Sequence, residues 1–280
     1  MTAEVDMKKT IQRALAILGS LASLAAFPAE SVAFLTNLKG EVTVDGSKAR
    51  LLSELARGQK VVVAKDAQAS VMFIASGKEY PLRGPGEFVV NESEVGAGSG
   101  PAPTARATEW RANARVLGQV GQTSAASVRM RSIAPPKAVS PLVFPTQGNI
   151  ATLQPTFRWT ATAPAEITLS VVGEEKAVHA GKAVGNSYRV PAKLKPDTEY
   201  AWVVRIAGSE LGSARFRTLP SEAIQVAEKR KPSERAEFSD RVMYALMLQD
   251  LGASQEAQEQ WSKLAKERAD LPELATLAGK

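Results

Sequence analysis

The chain contains no cysteine and a single histidine, His179. Without thiols there are no disulfides, no thiol catalysis, no iron–sulfur cluster and no Cys-ligated zinc. One imidazole excludes an H-E-x-x-H zinc helix and leaves room for at most one Ser-His-Asp arrangement. Aromatic residues are scarce, at 6% of the chain. No stretch of 18 uncharged apolar residues is present, so no integral membrane span is expected once the leader described below is removed. P-loop, GxGxxG and GxSxG motifs with supporting partners are also missing, so the chain reads as non-catalytic, with no cofactor. What remains is a 280-residue chain that is 44% hydrophobic and 23% charged, with 20 glycines and 16 prolines. That composition suits a folded protein of two or three small domains and is far from collagen or a wholly disordered chain.

The N-terminus reads as an address. Lys8, Lys9 and Arg13 precede an uncharged apolar run, Ala14–Phe27, that is too short to cross a bilayer at 1.5 Å per residue. This is the pattern of a secretory signal peptide, and Ser31-Val32-Ala33 offers small residues for cleavage after Ala33. The alternatives are an uncleaved anchor or a buried N-terminal helix. Cleavage predicts a periplasmic protein whose stability comes from packing.

The formal charge of +6 is concentrated. Between Gly96 and Pro141 there are six basic residues and one acidic residue. The stretch opens with GAGSGPAPT and closes with APPKAVSP, so residues 96–140 read as a linker. Within it, Arg106, Arg111, Arg115, Arg129 and Arg131 are candidate contacts for a polyanion through a salt-sensitive field. Export disfavours nucleic acid and points to peptidoglycan or another anionic envelope glycan; the alternative is a solvated connector. Trp110 and Ala114–Gly118 suggest a short helix.

The predicted architecture is multidomain and mainly β, ending in an α-hairpin. Residues 34–95 carry short strand-like runs at roughly ten-residue spacing, with Asp45-Gly46 as a hairpin turn. The order Gly40-x-Val42-x-Val44, Leu52-x-x-Leu55-x-x-Gly58, Asp66-x-x-Ala69-Ser70-Val71, Gly77-Lys78-x-Tyr80-x-Leu82 and Gly84-Pro85-Gly86-x-Phe88 resembles the FecR-type periplasmic domain. That resemblance implies an envelope β domain in a signalling family. This chain lacks the family's cytoplasmic segment and internal membrane helix.

Residues 141–220 repeat the strand-and-turn rhythm. Leu194-x-Pro196-x-Thr198-x-Tyr200-x-Trp202-x-Val204 resembles the E–F corner and F strand of fibronectin type III domains, part of the wider immunoglobulin-like class of β-sandwiches. The resemblance implies that Tyr200 is a corner tyrosine with its hydroxyl bonded to upstream backbone. Trp202 and Val204 would face the core together with Trp159. His179 falls near an expected loop between middle strands, either as a lone surface histidine or as a pH sensor or base.

Residues 233–277 read as helical. Ser233–Ala236 supplies a cap, and Phe238, Val242, Ala245 and Leu246 form an amphipathic stripe that ends at Leu251-Gly252. A second helix from Ser254 carries Ala257, Trp261, Leu264 and Ala265 on one face. Leu274 and Leu277 mark the start of a third. Tyr244-x-x-x-Leu248-x-x-Leu251-Gly252 with Ala257-x-x-x-Trp261-x-x-Leu264 resembles one tetratricopeptide repeat, although it stands alone and lacks the consensus Trp-Leu-Gly start. A lone repeat cannot bury its apolar face. The hairpin must therefore dock on the sandwich, pair with a second copy, or accept a partner helix through Phe238, Val242, Leu246, Trp261 and Leu264. Three functional readings follow: an envelope scaffold working through protein contacts, a binder of anionic glycan, or a FecR-like sensor.

Overall fold

A computed structural model describes residues 30–108, 110 and 140–279. The apolar leader, Ala114–Gly118 and the candidate arginines Arg111, Arg115, Arg129 and Arg131 lie outside the described residues. The described chain is mainly β, with two β modules followed by four helices.

The first module has ten strands: β1 (Ser31–Lys39), β2 (Val42–Val44), β3 (Ser47–Lys48), β4 (Glu54–Ala56), β5 (Lys60–Val63), β6 (Gln68–Phe73), β7 (Lys78–Arg83), β8 (Gly86–Val90), β9 (Val95–Ser99) and β10 (Arg106–Ala107). They form two five-stranded antiparallel sheets, in the orders β10-β7-β6-β1-β4 and β3-β2-β5-β8-β9. Asp45 and Gly46 both take positive φ and close the β2–β3 hairpin, as that dipeptide favours. Gly84 is required for a different reason: a Cβ there would overlap the Ala64 carbonyl. Phe34, Leu35, Leu55, Val71, Met72 and Phe88 are buried in the core, and because successive strand residues alternate, Phe34 and Leu35 serve opposite faces of β1.

Two expectations change here. Strands β9 and β10 lie inside the stretch read as linker. Its Gly-Ala-Gly run has low β propensity, but β8 supplies the ladder and tertiary pairing overrides propensity. The second concerns cleavage after Ala33, which would divide β1. Ala33 is fully buried in β1 and pairs with Leu55 on one side and Phe73 on the other. Ser31 donates to Glu54 (2.5 Å), and the Ile74 amide donates to the Val32 carbonyl (3.0 Å). A cut compatible with this strand falls before Ser31.

The second module comprises β11 (Leu142–Phe144), β12 (Asn149–Ile150), β13 (Thr156–Trp159), β14 (Ala165–Val171), β15 (Ala177–Ala183), β16 (Ser187–Arg189), β17 (Glu199–Ile206) and β18 (Ser209–Thr218). Its sheets run β11-β13-β16 and β12-β18-β17-β14-β15, with β12 parallel to β18. The module is an immunoglobulin/fibronectin III-like sandwich. Phe157 from one sheet stacks on Trp202 from the other with centroids 4.4 Å apart. The Tyr200 hydroxyl accepts from the Lys195 amide (2.9 Å), which is the bond expected of a corner tyrosine. His179 lies within β15, and its Nε2 is 2.6 Å from the Tyr188 hydroxyl.

The helices are α1 (Ser221–Lys229), α2 (Phe238–Asp250), α3 (Ser254–Glu267) and α4 (Pro272–Leu277). Helix α1 precedes the stretch read as helical. Helix α2 starts five residues after Ser233, and Glu237 flanks it without a side-chain cap. Gly252, at φ +79°, ends α2 in a Schellman arrangement: the Ala253 amide bonds the Leu248 carbonyl and the Gly252 amide bonds that of Gln249.

Every residue of α2 from Val242 to Leu248 is buried, so the helix is enclosed on all sides rather than amphipathic. Its apolar residues share one continuous core with the first β module, to which Ala151 of the second also belongs. Of the three alternatives for the hairpin, docking on the sandwich occurs along α3, and the helices also share a core with the first β module, which the sequence reading did not foresee. If the N-terminal three residues of β1 belong to the fold, a chain beginning at Phe34 will melt roughly 5 °C below one beginning at Glu30. Equal midpoints in differential scanning calorimetry would show that Ser31–Ala33 contributes nothing to the sheet.

Candidate functional site: the junction between the helices and both β modules

Arg106 leaves β10 and points into the seam between the first sheet and α2. Its Nε donates to Glu79 Oε2 (2.9 Å), and Nη2 bonds the same oxygen. Nη1 and Nη2 each donate to an Asp240 oxygen at 3.0 Å, and Nη2 also reaches Ser239 Oγ (3.1 Å). Thr36 donates to the other Glu79 oxygen (2.9 Å). Glu79 is 1% exposed, so its charge depends on these partners. The bond to Asp240, with Glu79 adding to it, raises the Arg106 pKa against the cost of burial. Arg106 is therefore an internal clamp, and its assignment as a polyanion contact is corrected.

The partner-helix residues are corrected in the same way. Phe238, Val242, Leu246, Trp261 and Leu264 are all at most 8% exposed. They are consumed by packing within this chain, and nothing of that stripe is left for a foreign helix. Arg268 lies 5.1 Å over the Phe238 ring, bonds Asn37 (3.0 Å) and the Leu38 carbonyl, and so ties α3 to β1.

The first turn of α3 grips the second β module. Gln255 Oε1 accepts from the Thr146 amide (2.8 Å), and its amide nitrogen donates to the Thr146 hydroxyl (2.8 Å). Glu256 accepts from the amides of Ala151 (2.5 Å) and Thr152 (3.2 Å). Arg158 pairs with Glu259 further along the helix. Burial pushes the Glu256 carboxyl above its ordinary 4.5, although those two amides and Lys231 pull it down. A carboxyl raised in this way binds more protons folded than unfolded. Its ionisation therefore weakens the fold as pH climbs from 4.5 through the folded value. Glu267 and Asp270 act in the opposite sense. Bonds to Arg241 and Arg268 hold them below their ordinary values, and their stabilisation is lost as pH falls.

Two cavities flank the turn between α1 and α2. One, of about 250 Å³, is lined by Trp110, Lys229, Arg230 and Lys231 among others, with Arg230 over the Trp110 ring at 5.4 Å. The other, of about 360 Å³, includes Lys231, Arg241, Tyr244 and Lys263. Burial, then Glu256 and Glu228, push the Tyr244 phenol up to about 12. The place of the Lys229-Arg230-Lys231 run beside Trp110 depends on the tertiary fold. Among the described residues, no group of three or more His, Cys, Asp or Glu side chains is placed to hold a metal.

No protein-family model and no curated protein matches the chain. Among solved structures, a chain described as a cell surface anchoring domain is similar at 20% identity and a TM-score of 0.20. The match covers 23% of this chain and 88% of that one. Similarity of that degree is too low to assign an activity. No helix among the described residues is long and apolar enough to cross a membrane.

Arg106→Met should cost about 3 kcal/mol in urea unfolding, because it strands the Glu79 carboxylate with Thr36 alone. The double variant Arg106→Met/Glu79→Leu should recover much of that loss. A double variant no more stable than the single would mean that the buried charge is not what the clamp neutralises.

Proposed function

We propose that this chain is a non-catalytic binding and scaffolding protein of the cell envelope, exported by its N-terminal leader and acting through protein–protein contacts. The observation that carries the reading is the double grip of the helices. Arg106 and the shared core hold them to the first β module, and Gln255, Glu256 and Arg158 hold them to the second. Such a brace sets two β modules at a fixed relative position, which is what a scaffold needs and what a flexible tether does not provide. The envelope location rests on the leader pattern and on the FecR-type resemblance of residues 40–88.

A second reading, binding of peptidoglycan or another anionic envelope glycan, draws on the cavity beside Trp110 and its Lys229–Lys231 rim. Such binding would weaken as salt rises.

In-cell crosslinking with mass spectrometry on fractionated cells tests both. The scaffold reading predicts a processed chain in the envelope fraction, crosslinked reproducibly to one protein neighbour. Crosslinks to glycan alone, abolished at high salt, would favour the second reading. An unprocessed chain co-fractionating with cytosolic markers would overturn both.

A further inference from the structure

The seven-residue strand β15 ends the second module's larger sheet and, among the described residues, pairs only with β14. The other sheet-edge strands are shorter, from two residues in β3, β10 and β12 to five in β9. A long free edge presents a row of unpaired amides and carbonyls, and proteins commonly blunt such edges with proline, charge or bulges. Here the one irregularity against β14 falls at Val178, and residues 179–183 stay in register. That stretch reads His-Ala-Gly-Lys-Ala, with no proline and one charge. Lys182 is already paired with Glu166 of β14 (3.3 Å). The inner side of the edge is closed by Tyr188, which lies so close to Gly181 that a Cβ there would overlap its hydroxyl.

The apolar residues around the strand are placed symmetrically. Among the described residues, three large hydrophobic side chains are exposed: Val143, Val178 at 48% and Val184 at 96%. Val178 and Val184 lie three residues before and three after Gly181.

We infer that β15 pairs antiparallel with β15 of a second copy, about a two-fold axis at Gly181. Two identical strands are self-complementary in this arrangement, as an isologous contact requires. The register sets Gly181 against Gly181, where no side chain intervenes, and Ala180 against Lys182. Each Val184 then meets Val178 of the other copy, so two exposed valines per chain leave water. The two lysines sit diagonally, roughly 7 Å apart, each balanced by its own Glu166. One strand pair with four valines buries far less than the ~1,600 Å² of a standard interface, so the dimer is weak, with a dissociation constant of roughly 0.1 mM. The inference rests on the edge strand and holds whatever compartment the protein occupies.

Sedimentation equilibrium of the full chain, up to about 1 mM, tests it. Both valines are exposed, so charged substitutions leave the fold intact; unchanged melting midpoints confirm this for each variant. The register predicts that Val178→Lys weakens the dimer about tenfold. Val178→Lys/Val184→Lys, which opposes like charges, should abolish it. Val178→Lys/Val184→Glu sets opposite charges face to face across the axis and should restore association to near wild type. A wild-type chain that stays monomeric at the highest concentration would overturn the inference. So would a Lys/Glu double variant as weak as the Lys/Lys one.

Discussion

Helix α2 imposes the constraint on which the rest depends. From Val242 to Leu248 it has no solvent-facing side, so it is stable only when surrounded. Tertiary packing, rather than helix propensity, supplies most of the stability of a helix this short. The first β module covers one side through β1, and α1 and α3 add to the enclosure, with α4 packed behind α3. The polar groups at its rim are then committed. Asp240 and Ser239, in its first turn, complete the shell around Arg106 and the buried Glu79. Removing the helices would open the core of the first β module, so those two parts belong to one folding unit, while the second module keeps a core of its own.

That enclosure redirects the functional question. A lone helical hairpin invites the idea of a groove awaiting a partner helix, but every residue of that stripe is spent internally. Surfaces that can meet another molecule lie elsewhere, on the outer faces and edges of the sandwich. The helices instead serve as a wedge. They bind the first β module largely by apolar burial and the second largely by polar contacts from the first two turns of α3. The apolar side is non-directional and strong, while the polar side is specific about orientation.

Local features were the legible ones. The corner tyrosine bonds a residue five positions away, and the Asp45-Gly46 turn joins adjacent strands, so both were readable from short motifs. The Leu251-Gly252 helix end is equally local. Long-range features were not. Arg106 is 27 residues from Glu79 and 134 from Asp240, and no spacing rule connects them, so its surroundings suggested an exposed basic linker. Helix α1 buries only Ile224 and Ala227, too few to display a period. Ala33 satisfied the small-residue rule of a cleavage site, but the same small side chain suits the interior of a crowded strand. The edge strand β15 carries alanine, glycine and one lysine, which is a poor β signature; its pairing to β14 defines it.

The central claim is that the helices lock the two β modules into one rigid body. The natural chain has no cysteine, so spin labels on Lys48→Cys in β3 and Arg215→Cys in β18 report that geometry without background. Double electron–electron resonance on the dilute monomer should give a single narrow distance distribution, unchanged by added salt. A broad or multimodal distribution would contradict the account, because it would mean that the modules move independently.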